Sequence, residues 1–378
     1  MNDLLKVTIL QAEIMIIKRD FDLLRKVVTQ LKPEFQMQLI PYTALFCFEA
    51  IEYLKKSGYR VEIDQTSKYT IKDVRQKAKF FDLSINKLLQ SIVNVDKLQN
   101  DYFISLMLYP KLGCWNVHTN IGIFYDEMKN IVSNTHYAYY VFQDEKMISK
   151  PPTDMSGYEI QGEEIRAFAY DLGRIIGSLT SALCTVSDFI VADVNTDNIV
   201  IYSQDFNTNR CRIKGNEAYK VIRLFLLHVL SNIGFIMFIL KKAIIRESGL
   251  LLRIEYATYH YALMRLEGIM TFCNNNSNKV DDPNLQEMLN SIDYSNRNGL
   301  RKSEFRNCMM HFGLYNGENP LIEKDKIDLS IPFCGLIESQ FGMTYDEYKC
   351  KIEEQLYDVY GKIKGYMGFD FLLNADNK

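Results

Sequence analysis

The chain has 378 residues, 47% of them hydrophobic, with a formal charge of −3 and a pI near 6.0. That is enough apolar material for a sizeable core, in two domains or one large subdivided one, but it gives no net field to draw polyanions to the whole surface, so nucleic-acid contact would need a local basic patch. Eight scattered cysteines with no C-x-x-C pair, and five histidines without zinc-ligand spacing, point to free thiols in a reducing cytoplasm and to no metal or cofactor.

The opening MNDLLKVTILQAEIMIIKRD has no apolar run followed by a small-residue cleavage site, which argues against secretion. Across residues 2–57, apolar positions recur at helical spacing (Ile9, Leu10, Ile14, Ile17, Phe21, Leu24), and Pro33 marks a break between two or three helices. Residues 69–92 hold two short amphipathic runs, spaced like a helix-turn-helix. Only Asn86, Lys87 and Gln90 could read bases or phosphates there, so two packed helices are the simpler reading.

The middle of the chain changes texture. Residues 137–142 (YAYYVF) and 199–202 (IVIY) have strand-like composition between turn-forming runs, so a few short strands should decorate a helical body. Residues 164–186 return to helical periodicity, and the polar, asparagine-rich run 193–216 is the natural domain boundary, placed near Gly215. The chain thus divides into a mostly helical region, 1–215, and a helical bundle, 216–378, and the fold class is mainly α. Residues 221–240 are long and apolar enough to cross a bilayer. Arg223, His228, Ser231 and Asn232 interrupt them, however, which suits a buried bundle helix better and leaves no membrane partner.

Beyond the boundary the pattern predicts helices over residues 217–248, 250–272, 285–292, a short one around SEFRNCMMHFG capped by Ser303 and stopped at Gly313, and a last one over 345–366. Arginine precedes histidine by five to seven residues three times: Arg223 to His228, Arg253 to His260, and Arg306 to His311. About one such match is expected by chance, so spacing alone decides nothing. The third differs in context, because a polar Asn307 follows the arginine and a polar loop containing Arg297, Arg301 and Lys302 precedes it. The first two have Leu224 and Ile254 in that place, inside core-like helices.

The Arg306, Asn307, His311 arrangement resembles the signature of the HEPN superfamily, over roughly residues 217–370. The run PFCGLIESQFGMTYDEYKCKIEEQL is also similar to stretches of uncharacterised bacterial proteins with such a domain. For residues 1–215 no family is recognised. The resemblance implies a helical bundle, a homodimer, and a metal-independent endoribonuclease acting on RNA in toxin-like or antiviral defence, with a regulatory or antitoxin protein as a further partner. On one helix, at about 100° per residue, Asn307 and His311 share a face while Arg306 and His311 stand about 140° apart, so one helix alone does not bring all three together. A second copy across a two-fold axis would place two arginines and two histidines around one cleft.

RNA cleavage by the ribose 2′-OH needs a base for that hydroxyl, a proton for the leaving 5′-oxygen and positive charge on the phosphorane. Imidazole, with an unperturbed pKa of about 6.5, suits His311 to proton transfer, Arg306 offers a permanent bidentate charge, and Asn307 would orient the histidine or the phosphate. Arg297, Arg301 and Lys302 would steer the RNA backbone. Two other functions are open: a non-catalytic module of this type that binds RNA, a nucleotide or a protein through the same residues, and a helical DNA-binding regulator that uses residues 69–92 instead. Phosphate-loop, nucleophile-elbow, zinc-protease and dinucleotide fingerprints are all missing from the sequence.

Overall fold

Two long helices open the chain, α1 (Asn2–Gln30) and α2 (Pro33–Lys56), separated only by residues 31–32. Pro33 begins the second helix, where a missing N–H costs nothing. The computed structural model describes residues 2–62, 68–78, 84–100, 119–142, 155–184, 193–208, 217–245, 248–276, 280–294 and 299–368. The expected pair in residues 69–92 is present as α3 (Ile71–Ala78) and α4 (Ile85–Asn100), with 79–83 outside the described residues.

A small antiparallel sheet follows, with β1 (Ile121–Asp126) at its centre, β2 (Ile131–Asn134) on one side and β3 (Ile201–Phe206) on the other. Asp126 folds the β1–β2 turn by accepting the amides of Met128 and Asn130 at 3.0 and 2.8 Å. The strand expected at 199–202 is realised as β3. The YAYYVF run is not a strand: it lies in helix α5 (Thr135–Phe142). Asn134 decides this, since its side-chain oxygen accepts the Tyr137 amide at 2.7 Å and caps the first turn. Tyr137, Tyr140 and Val141 then fall on one buried face at i, i+3 and i+4. α6 (Met155–Ala182) completes the middle segment.

The apolar stretch that could span a bilayer is α7, Glu217–Gly234 running on through a π-helical turn, Phe235–Leu240, to Ala243. It is the one helix among the described residues long and apolar enough to cross a membrane, and 83% of its apolar window is buried inside the protein. It packs against β2, α4 and the last helix. Gly234 is required there, because a Cβ would lie 1.9 Å from the Ile131 carbonyl oxygen of β2. α8 (Gly249–Asn275) is capped by Ser248, which accepts the Leu251 amide at 3.1 Å. α9 (Pro283–Ser291), α10 (Ser303–His311), a minimal hairpin β4 (Tyr315–Asn316) and β5 (Asn319–Pro320), α11 (Pro332–Phe341) and α12 (Tyr345–Met367) follow. α12 starts in a full capping box between Thr344 and Glu347.

The fold is mainly α, with a few short strands. Residues on both sides of position 215, itself outside the described residues, share one continuous apolar core. α1 packs against α8, and α2 packs against α10. Phe21 of α1 and Phe46 of α2 both lie against Phe312, with ring centroids 6.5 and 6.3 Å apart.

Candidate functional site

The candidate helix α10 is fixed from below by Phe305, Cys308, Met309 and Met310, all buried. Its ends differ from expectation. Lys302, not Ser303, is the N-cap residue, and it makes no side-chain cap bond. The helix stops at Phe312 rather than Gly313, because Phe312 adopts φ 61° in the left-handed region. That conformation is costly for a residue with a Cβ. It is held by the ring's burial between Phe21, Phe46 and the Arg253 guanidinium, 3.7 Å from the ring centroid.

Arg253 is thereby explained as a structural residue. It is fully buried, with Nη1 2.5 Å from Asp20 Oδ2 of α1 and Nε donating to the Met309 carbonyl at 2.8 Å. Burial pushes the Asp20 carboxyl up to about 6, against the pull of Arg253. Arg223, first of the three spaced pairs, donates to the Met367 carbonyl at 2.7 Å, while its companion His228 belongs to a separate buried centre.

His311 sits at the exposed end of α10. Its Nδ1 is 2.8 Å from Glu49 Oε2 of α2, with the imidazole 46% and the carboxylate 20% exposed. A carboxylate at Nδ1 selects the tautomer that leaves Nε2 as the free proton acceptor. Nε2 meets no partner among the described residues, and the arrangement is that of a histidine poised for proton transfer.

Arg306 faces elsewhere. It is half-buried, and its charge is felt by Tyr256 and His260 of α8 together with that of Arg301. Asn307 is exposed, and no hydrogen bond or ion pair joins Arg306, Asn307 and His311 to one another among the described residues. Arg301 reaches the Tyr294 carbonyl at 3.4 Å, and Lys302 caps the end of α11 by donating to the Gln340 carbonyl, 5.0 Å above the Phe341 ring. Arg297 lies outside the described residues. Comparison with protein-family models, curated proteins and solved structures returns no match.

Two residues here escaped the sequence reading. Glu49 lies within the apolar run FCFEAIEYL, where an acidic residue is conspicuous, but its partner is 262 positions away and no local pattern reveals it. His260 was discounted with Arg253 as part of a core helix; it is half-buried beside Arg301 and Arg306. Burial first, then these two guanidinium charges, hold its imidazole down at about 4.

A second polar centre lies deep between α5 and α7. His136 Nδ1 and His228 Nε2 are 2.7 Å apart, and Tyr137 and Tyr140 pack against the His228 ring. Burial, then the Lys220 charge, pulls His136 down to about 3, and burial with His136 lowers His228 as well, so this is a neutral pair. The adjoining cavity, of about 60 Å³, has room for little more than a solvent molecule or two. Among the described residues, no group of three His, Cys, Asp or Glu side chains is placed to hold a metal ion.

Proposed function

We propose that this protein is an endoribonuclease of HEPN type that needs no metal, with His311 as the proton-transfer group, Glu49 as its positioning residue and Arg306 as the charge on the scissile phosphate. The observation that carries the reading is the exposed His311 backed at Nδ1 by Glu49, at the end of the helix that also bears Arg306 and Asn307. In the reaction, the ribose 2′-oxygen bonds to phosphorus as its proton passes to Nε2. The bond from phosphorus to the 5′-oxygen breaks, that oxygen takes up a proton, and the products are a 2′,3′-cyclic phosphate and a 5′-hydroxyl. Arg306 and His311 have separate neighbours within one chain, which favours a homodimer in which the arginine of one copy serves the histidine of the other. A role in toxin-like or antiviral defence, under a regulatory partner, is the biological setting we infer.

The deciding experiment incubates the purified protein with mixed RNA in EDTA, beside His311→Ala and Arg306→Ala. Cleavage by wild type alone, leaving cyclic phosphate or 3′-phosphate ends, supports the reading. Intact RNA, or equal cleavage by all three proteins, removes it.

A further inference from the structure

Between α8 and α10, donors gather without acceptors. Arg301 Nε, Arg306 Nε, His260 Nδ1 and the hydroxyl of Tyr256 are all buried, none has a hydrogen-bond partner among the described residues, and the charges of both arginines act on Tyr256 and His260. Buried polar atoms are nearly always paired, so four in one neighbourhood are exceptional. Aromatic packing groups them. The Tyr256 ring lies against Phe305, the residue before Arg306, at 5.3 Å, and against His260, one turn along α8, at 6.1 Å. Arg301 is tethered beside them through the Tyr294 carbonyl.

We propose that His260, Arg301 and Arg306, with the Tyr256 hydroxyl, form a binding site for a phosphoryl group. The inference rests on the ribonuclease reading only for the identity of that group as part of RNA. Two guanidiniums supply fixed forks matched to phosphate oxygens, and the Tyr256 phenol adds a donor that does not compete for protons at neutral pH. His260 is uncharged when the pocket is empty, so it can present one N–H without adding a third positive charge. Two carboxylates act on neighbouring phenols, Asp293 on Tyr259 and Glu267 on Tyr294, so the field around the pocket is not purely positive. The pocket takes Arg306 from the flank of α10 turned away from the same chain's His311, so the phosphoryl group it holds meets a histidine only where a second copy brings its own His311 to it.

The test is a titration of the full chain, labelled with ¹⁵N in its histidines, with inorganic phosphate, a nucleoside monophosphate and a dinucleoside phosphodiester. His260 is assigned by loss of its signal in His260→Gln. The expected result is a saturable shift of the His260 ring signals, with the affinity falling at least about tenfold in Arg301→Met and Arg306→Met, as expected when a charge-assisted bond is lost. Arg306→Lys, which keeps the charge, should retain part of the binding. Preference among the three ligands distinguishes a terminal phosphate from an internal diester. No shift with any of them up to about 10 mM, far weaker than a built site warrants, overturns the proposal, as does an equal shift in the methionine variants. His311→Ala keeps phosphate binding on this proposal, so phosphate binding by a wild type that leaves RNA intact would sink the ribonuclease reading and leave the pocket standing.

Discussion

Replacing Arg253 with methionine should be among the most damaging single changes in the protein. The guanidinium is fully buried, its Asp20 partner is 4% exposed, and the two approach to 2.5 Å. Methionine would leave the Asp20 carboxylate in the core without a counter-charge, at a cost of about 3–5 kcal/mol. It would also strip the Met309 carbonyl of its donor, worth about a further 1–3 kcal/mol. Against a total stability of about 5–15 kcal/mol, Arg253→Met alone could unfold much of the population. Asp20→Leu combined with Arg253→Met removes both charges and fills the space with apolar atoms, and such exchanges are often neutral or better. The double variant should therefore lie within about 2 kcal/mol of wild type, since only the Met309 carbonyl remains unpaired. Urea unfolding followed by far-ultraviolet circular dichroism measures all four corners of the cycle. A cost below about 1 kcal/mol for Arg253→Met, or a double variant no better than the sum of the singles, would refute the claim that this ion pair clamps α1 to the end of α10.

Glu49→Gln should slow RNA cleavage about 10-fold to 100-fold while leaving KM unchanged, because it removes the carboxylate orienting His311 and touches no phosphate contact; an unchanged rate would remove Glu49 from the mechanism. The buried neutral histidine pair makes stability sensitive to acid. With His136 at about 3 when folded and about 6.5 when unfolded, the unfolded chain holds the extra proton between those values, so this stability is present above pH 6.5 and is lost as pH falls. Asp20, raised to about 6, has the opposite sign, since the folded chain holds its proton first and gains stability as pH falls through that value. Comparison with His136→Gln isolates the histidine: between pH 6.5 and about 4.5 wild type should lose roughly 2–3 kcal/mol more than the variant, and parallel unfolding curves would contradict the neutral pair. Gly234→Ala would drive a methyl group into the Ile131 carbonyl at 1.9 Å and should cost about 3 kcal/mol; an unchanged melting temperature would mean that α7 and β2 separate freely.

The sequence alone marks out the helical elements that carry strong periodicity or explicit end signals: the break at Pro33, the apolar α7, α8 and α12. These depend on contacts within a few residues, which periodicity records. It also singled out Arg306, Asn307 and His311 by their local context. Composition misled at residues 137–142, where tyrosine and valine suggest a strand, but the Asn134 cap and a buried helical face outweigh that preference. Which distant residues meet is set by helix packing. Glu49 reaches His311 across 262 positions, Asp20 reaches Arg253 across 233, and the donors of α8 converge on those of α10. Such pairings are set by how helices pack, through side chains far apart in the chain, and neither propensity nor spacing encodes them.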